Sequence, residues 1–161
     1  MKAAFLPDRG VIKVSGEDAR NFLNGLITTD VEQLAPGQAR FGALLTPQGK
    51  YLADFFVVNT GTALLLDLPE ALADATLRRL NMYRLRADVQ IAPADLAVSR
   101  GLGPAPKGAL QDPRHPALGW RFYGALMAET AIDWDAIRVE HLIPETGIEL
   151  IPDETFLLEA G

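Results

Sequence analysis

The sequence contains no cysteine, which excludes disulfide bonds, thiolate metal sites and a cysteine nucleophile in this chain. Histidine is almost as scarce, because only His115 and His141 occur and neither has a second imidazole at ligand spacing. We therefore predict no metal site. No stretch approaches the roughly 18 apolar residues of a membrane-spanning helix, and the apolar run at residues 3–6 is too short for a signal peptide. We expect a cytoplasmic chain without membrane contact.

Basic charge is also limited, since 15 Lys and Arg residues stand against 21 Asp and Glu residues and give a net charge of −6. A nucleic-acid-binding protein normally carries a basic patch that displaces counterions from phosphates. The one cationic cluster consists of Arg78, Arg79, Arg84 and Arg86. It is typical of an exposed helical face, with a local anion site as the alternative. We therefore predict no direct contact with nucleic acid.

The apolar pattern of the first half predicts an α+β fold with a mixed, mainly antiparallel sheet and packed helices. Residues 11–14 are typical of a strand, and Ser15 and Asp18 have the spacing of a capping box for a helix over about residues 17–28. Three β-favouring runs follow, each separated from the next by a turn with glycine, and they predict an antiparallel meander. These runs are residues 41–45, 51–58 and 63–68.

The second half begins with an amphipathic helix that starts at Pro69 and ends near Met82. We predict strands at 85–91, 96–99 and 120–126, and a last helix capped by Thr130 and Asp133. Glycine and proline are so dense between residues 101 and 119 that the pattern predicts a loop there. The predicted organisation is a domain over 1–100, a loop over 101–119 and a second, incomplete α+β segment over 120–161.

Asp54 is the only charged residue in an otherwise apolar strand. Side chains alternate along a strand, so Asp54 shares a face with Phe56, and a hairpin that pairs Thr46 with Tyr51 would place it opposite Ala43. A carboxylate buried without partners is costly, so Asp54 must be exposed, paired or ligand-facing. The alternatives to a ligand are an ion pair with Arg40 or Arg86 and a strand-edge charge that discourages aggregation.

Several segments resemble the YgfZ/GcvT family. Residues 14–31, VSGEDARNFLNGLITTDV, are similar to a family block that typically reads VSGxDAxxFLQGLxTNDV. Residues 41–56 and 82–89, FGALLTPQGKYLADFF and MYRLRADV, resemble the next blocks, and 112–121 and 138–147 resemble later ones. The resemblance covers nearly the whole chain in order, and the strings LTPQGK and MYRLR favour the YgfZ branch.

This resemblance implies a GcvT-like folate-binding fold with tetrahydrofolate or a related folate as the ligand. It also implies support of iron–sulfur proteins, including those that modify tRNA, and hence iron–sulfur proteins as partners. An aspartate on the corresponding strand of the T-protein branch contacts folate and assists aminomethyl transfer, and Asp54 matches it. We therefore expect a folate-binding module. The alternatives are a tetrahydrofolate-dependent aminomethyltransferase with Asp54 as catalytic residue, and a shortened scaffold without ligand binding.

For the folate site we predict Asp54 as the acceptor of the pterin N–H groups and an arginine as the cation for the glutamate tail. The predicted ligand-binding residues are Asp54, Phe41, Phe56, Tyr83, Arg84 and Arg86, with Tyr83 equally suited to the core. Thr29 stands where the family usually has asparagine, which puts any contact of that residue in question. The family's KGCYxGQE motif is missing, so we expect a chain that lacks the C-terminal part.

Overall fold

The computed structural model describes residues 2–46 and 48–124 of the chain. This part forms two antiparallel sheets and two α-helices, joined by turns and loops. This confirms the predicted α+β class. In chain order the elements are β1 (Lys2–Phe5), β2 (Arg9–Ser15), α1 (Ala19–Asn24), β3 (Ala39–Leu45), β4 (Tyr51–Asn59), β5 (Leu64–Pro69), α2 (Glu70–Arg84), β6 (Gln90–Pro93), β7 (Ala97–Leu102), β8 (Leu110–Gln111), a 3₁₀ turn (Pro116–Leu118) and β9 (Trp120–Gly124).

The larger sheet has five strands in the order β3-β4-β5-β2-β6, so the predicted meander forms its first three strands. Gly49 closes the β3–β4 hairpin with a φ of 89°, which glycine adopts without a Cβ penalty. The pairing predicted at this turn is wrong, because Tyr51 lies opposite Leu45 rather than Thr46. A bulge between Leu44 and Leu45 absorbs the shift, so the rest of the register is the one expected from the sequence.

The five-stranded sheet is covered on both of its faces, which explains why strand β4 has apolar side chains on both faces. On one face, Leu23 of α1 and Leu80 of α2 pack with Phe55 and Leu66 in the larger hydrophobic core. On the other face, a smaller core joins the two sheets and is formed by Val11, Phe56, Val58, Leu65 and Val98. The helices and the second sheet therefore lie on opposite sides of β4.

Helix α1 is shorter than the predicted helix over residues 17–28. Asp18 is its N-cap residue but makes no side-chain capping bond. Its carboxylate instead accepts a hydrogen bond from the backbone N–H of Asp88 at 2.7 Å, so a distant partner replaces the expected capping box. Beyond the helix, the Thr28 N–H donates to the Ala43 carbonyl at 3.0 Å. The chain after α1 thereby runs along the edge of β3 instead of continuing the helix.

The predicted strand over residues 85–91 is also wrong in its first half. Residues 85–89 form a tight turn after α2, and the strand itself is Gln90–Pro93. Pro93 is tolerated there because β6 is an edge strand, where a missing N–H breaks no ladder bond.

The smaller sheet has the order β1-β7-β9-β8, and β8 and the 3₁₀ turn both fall within the stretch predicted as a loop. The strand predicted at 120–126 is observed over Trp120–Gly124, and its last two residues lie outside the described part. The predicted helix at Thr130 and Asp133, and His141, lie there too. The predicted division into a domain over residues 1–100 and a second segment over residues 120–161 therefore stays a prediction.

Candidate functional site

A cavity of about 180 Å³ lies between the two sheets and reaches Asp54. Both sheets and their connecting loops contribute to its wall, so it exists only because the sheets are packed together. Its lining residues are Leu6, Pro7, Asp8, Arg9, Phe41, Asp54, Phe56, Arg100, Arg114 and Arg121. Three of the residues predicted from the sequence, Asp54, Phe41 and Phe56, are thus brought together in one place.

Asp54 lies on β4 directly opposite Ala43, as strand parity predicts. Its side chain is largely buried, with 6% of the residue exposed. The Asp54 backbone N–H donates to the Tyr51 hydroxyl at 3.0 Å, and Tyr51 is fully buried. Ala43 is fixed in turn by the Thr28 hydroxyl, which accepts from its N–H at 2.9 Å. The carboxylate therefore projects from a rigid hairpin beside a small residue.

Phe41 and Phe56 form the aromatic part of the cavity. They lie opposite each other on β3 and β4, with ring centroids 5.1 Å apart and an interplanar angle of 61°. This edge-to-face arrangement is a favourable aromatic pairing. Both side chains are on the same face of the sheet as Asp54, so an apolar surface adjoins the carboxylate.

Three guanidinium groups surround Phe56. The distances from guanidinium carbon to ring centroid are 4.1 Å for Arg121, 4.8 Å for Arg114 and 5.8 Å for Arg9. Arg114 also lies 5.7 Å from the Phe41 centroid. Such contacts stabilise a cation on an aromatic face, so the aromatic wall is lined with positive charge. These arginines were not predicted from the sequence, because Arg9 lies far along the chain from Arg114 and Arg121 and only the packing of the sheets brings them together.

A second carboxylate, Asp67 on β5, holds two of these arginines, Arg9 and Arg121, in place. Arg9 Nε donates to Asp67 Oδ1 at 2.7 Å, and Arg121 donates to Oδ2 from Nη2 at 2.7 Å and from Nε at 3.0 Å. The Tyr123 hydroxyl donates to the same Oδ2 at 2.6 Å. Since Asp67 belongs to one sheet and Arg121 and Tyr123 to the other, this network joins the two sheets.

The charge state of this network follows from its geometry. Burial would raise the pKa of Asp67, but the charges of Arg121 and Arg9 and the Tyr123 hydrogen bond outweigh it and lower the pKa. Asp67 is therefore an anion. Burial and the neighbouring Asp67 raise the pKa of Tyr123, so its hydroxyl stays protonated and donates. In the sequence Asp67, like Asp54, is the only acid in an apolar strand. This pattern could have indicated Asp67 as a site residue, but it was not predicted.

The loop after β8 is tied to the cavity by a further ion pair. The Asp112 carboxylate accepts from the Arg114 backbone N–H at 2.9 Å, from Nε at 3.1 Å and from Nη2 at 2.9 Å. His115 caps the following 3₁₀ turn, because its Nδ1 accepts from the Ala117 N–H at 3.0 Å. Among the described residues there is no cluster of three His, Asp or Glu side chains that could hold a metal ion.

The other predicted ligand residues, Tyr83, Arg84 and Arg86, do not line this cavity. They lie at the end of α2 and just beyond it, and α2 packs on the face of the sheet that carries Phe55. Arg84 Nη1 donates to the Val89 carbonyl at 3.3 Å. The sequence alone did not indicate which face of the sheet α2 would cover.

The site therefore combines a fixed carboxylate acceptor, an aromatic surface and a set of arginines held by buried acids. This suits a flat ring with N–H donors on one edge and a negative group elsewhere.

Comparisons with known proteins agree with the fold. The family model described as the GCVT N-terminal domain matches residues 8–112. The mitochondrial iron–sulfur cluster assembly factor IBA57 homolog of Phaeosphaeria nodorum is 30% identical, over 97% of this chain and 45% of that protein. The tRNA-modifying protein YgfZ of Colwellia psychrerythraea is 31% identical, over 53% of this chain and 26% of that protein. The chain thus spans less than half the length of these relatives.

Among solved structures, the glycine cleavage system aminomethyltransferase T from Bartonella henselae superimposes with a TM-score of 0.56 at 20% identity. The match covers 61% of this chain and 27% of that one, and it confirms the predicted GcvT-like fold. In the part of the chain that the structure describes, neither helix is long and apolar enough to cross a membrane.

Proposed function

Because the chain belongs to the GCVT N-terminal domain family, we propose that the cavity beside Asp54 binds tetrahydrofolate or a related folate. One observation carries the proposal: a largely buried carboxylate lies next to a pair of phenyl rings inside a cavity. The Asp54 carboxylate lines this cavity, so it can accept hydrogen bonds from a ligand that enters.

The pterin head of a folate matches these groups. Its aminopyrimidine edge presents neighbouring N–H donors, and a carboxylate can accept two of them at once. Its flat ring packs against the rings of Phe41 and Phe56, which removes apolar surface from water. The hairpin that carries all three residues is rigid, so the ligand meets a site that is already arranged.

The arginines replace those predicted for the negative end of the ligand. Arg100 and Arg114 line the same cavity as Asp54, whereas Arg84 and Arg86 do not. A guanidinium binds a carboxylate through two parallel hydrogen bonds along one edge. Asp112 takes the Nε–Nη2 edge of Arg114, so the Nη1–Nη2 edge is the one that suits the glutamate group of a folate. We propose Arg114 for this role because it lies at the loop side of the cavity, over both phenyl rings.

In the cell, we propose that the chain acts as a YgfZ-type module that supports iron–sulfur proteins and, through them, tRNA modification. The names of the IBA57 and YgfZ relatives support this role. With no cysteine, this chain offers no thiolate ligand of its own, so its partners would carry the clusters. The cytoplasmic location stays a prediction, since the IBA57 relatives are named mitochondrial.

A second candidate is transfer of an aminomethyl group to tetrahydrofolate. The likeness to the aminomethyltransferase T fold favours it, together with a carboxylate inside the cavity. Asp54 would then assist proton transfer or stabilise charge that develops on the folate nitrogen. The two candidates differ in one measurement, because only the enzyme turns over an aminomethylated carrier when folate is present.

Calorimetric titration of the 161-residue chain with tetrahydrofolate tests the site. We expect Asp54→Asn to weaken binding by a factor of about 10 to 150, since a hydrogen bond to a charged group contributes about 1.5–3 kcal/mol. Asp74→Asn is the matched control, because Asp74 is exposed on α2, on the other side of the sheet. Far-UV circular dichroism checks that both variants are folded.

Equal affinity of the wild-type chain and Asp54→Asn would remove Asp54 from the site. Absence of binding by the wild-type chain would show that this cavity is not sufficient for folate.

A further inference from the structure

Two large apolar side chains are exposed at the end of α2. Met82 is 70% exposed and Leu85, three residues later, is 88% exposed. Among the described residues the only other large hydrophobic side chain of this kind is Leu96, at 37%. Met82 lies in the last turn of α2 and Leu85 is its C-cap residue, so both exposed side chains are at the same end of the helix, here called the apolar tip. Neither the folate cavity nor the hydrophobic cores account for it.

Leu85 also has a strained backbone. Its φ of 46° and ψ of −114° make it the only non-glycine residue with positive φ in the described part of the chain. The Ala87 N–H donates to the Arg84 carbonyl at 2.9 Å, which closes a four-residue turn with Leu85 at its second position. In a type II′ turn this position has φ of about 60° and ψ of about −120°, and it strongly favours glycine. An exposed leucine gains no packing there, so the fold itself does not explain this residue.

Arginines precede and follow this tip along the chain, between the exposed Asp74 and Asp88. Residues 75–87 include Arg78, Arg79, Arg84 and Arg86 and no acidic residue, in a chain whose net charge is −6. Arg78, Arg84 and Arg86 are exposed. A cationic surface with an apolar centre is typical of a binding surface, since exposed apolar side chains that lie together mark interaction sites and clustered charge of one sign attracts a partner of the opposite sign.

We infer that Arg78, Met82, Arg84, Leu85 and Arg86 form a docking surface, here called the Leu85 surface. Its partner is a protein that offers an apolar socket for Leu85 with carboxylates around the rim. The strained turn pushes the leucine outward, and strain of this kind is kept where it serves a function. The rim arginines guide the approach and select an acidic partner, while the apolar tip supplies most of the affinity.

Other kinds of partner fit the surface less well. Proteins that bind single-stranded RNA stack aromatic side chains on the bases, and the exposed tip offers aliphatic ones. Binding to a lipid surface depends on the apolar area that enters the bilayer, and two side chains provide little. The Leu85 surface lies on the helix side of the five-stranded sheet, away from the cavity beside Asp54, so docking leaves that cavity accessible.

Photo-cross-linking identifies the partner. The cross-linking residue p-benzoylphenylalanine replaces Met82 in the 161-residue chain, and the same residue at exposed Lys13 serves as the control. After irradiation in an extract of the source cells, mass spectrometry identifies the linked protein and peptide. We expect an adduct that is specific to position 82, on an apolar residue with Asp or Glu neighbours.

The affinity of the purified partner is then measured by fluorescence anisotropy. We expect Leu85→Gly to weaken binding at least tenfold while raising the melting temperature, because glycine relieves the strained turn. Loss of binding in a more stable protein cannot be ascribed to misfolding. Arg86→Glu should weaken binding by a similar factor, and Lys13→Glu should leave it unchanged.

Three results would overturn the inference. One is a set of adducts that is the same from positions 82 and 13, or no adduct from either. Another is an affinity that Leu85→Gly does not alter. The third is binding of a uridine oligonucleotide or of phosphatidylglycerol vesicles that is lost in Leu85→Gly, without any protein adduct.

Discussion

Asp67 offers the sharpest test of how the two sheets are held together, and the perturbation is Asp67→Asn. The substitution keeps the size of the side chain and removes its charge. Arg9 Nε and Arg121 Nη2, each 2.7 Å from an Asp67 oxygen, then face an amide in place of a carboxylate. The side chain of Arg121 is only 4% exposed, so water cannot compensate for the lost partner.

The expected loss of stability is about 3–5 kcal/mol, because removal of one partner from a buried ion pair leaves poorly compensated charge in the interior. Asp112, at 4.0 Å from Arg121 Nη1, is a weaker substitute for the lost carboxylate. That is a large part of the roughly 5–15 kcal/mol that stabilises a typical domain. With a urea m-value of about 2 kcal/mol per molar, the unfolding midpoint should fall by about 2 M.

Urea unfolding followed by far-UV circular dichroism measures this shift. Asp74→Asn on the exposed face of α2 is the control and should move the midpoint little. The double variant Asp67→Asn/Arg121→Gln should lose less stability than the two single variants combined, since both act on one interaction. A loss below about 1 kcal/mol in Asp67→Asn, similar to the control, would refute a network that holds the sheets together.

Two further predictions concern pH and a close backbone contact. The folded state lowers the pKa of Asp67, so its contribution is present above the unfolded value of about 3.9 and is lost as the pH falls through the folded value; the stability difference between wild type and Asp67→Asn should therefore shrink in urea titrations as the pH falls below about 4, and a constant difference would contradict it. A Cβ on Gly119, whose φ is 73°, would clash with the Gly101 carbonyl oxygen, so Gly119→Ala should cost at least about 2 kcal/mol in thermal unfolding. Gly103→Ala, at a φ of 80° with open space around it, should cost only about 1 kcal/mol; equal losses would show that the contact is unimportant.

The β3–β4 hairpin shows what the sequence can predict. Strand parity and the turn glycine placed Asp54 opposite Ala43 and on the face of Phe41 and Phe56, and the structure has this arrangement. The prediction succeeds because alternation along a strand is strict and a short turn fixes the register. It failed only at Tyr51, where a bulge shifts the pairing by one residue.

The arginines show what the sequence cannot predict. Arg9 lies far along the chain from Arg114 and Arg121, and it meets them only because the two sheets pack face to face. Tyr83 and Arg84 were predicted beside Asp54, but they lie at the end of α2, which packs on the opposite face of the same sheet. Which face a helix covers depends on the packing of the whole domain, and no local pattern encodes it.

Asp54 and Asp67 give the same signal in the sequence, a single acid inside an apolar strand, yet the structure separates their roles. Asp67 is fully buried and does not itself line the cavity, and its carboxylate accepts from Arg9, Arg121 and Tyr123. Asp54 keeps a small exposed fraction and lines the cavity beside two phenyl rings. A lone buried acid therefore indicates a strong interaction but not its partner. The surroundings of the two carboxylates differ: Asp67 is packed against arginines, whereas Asp54 lines a cavity, which is the basis for proposing a ligand there.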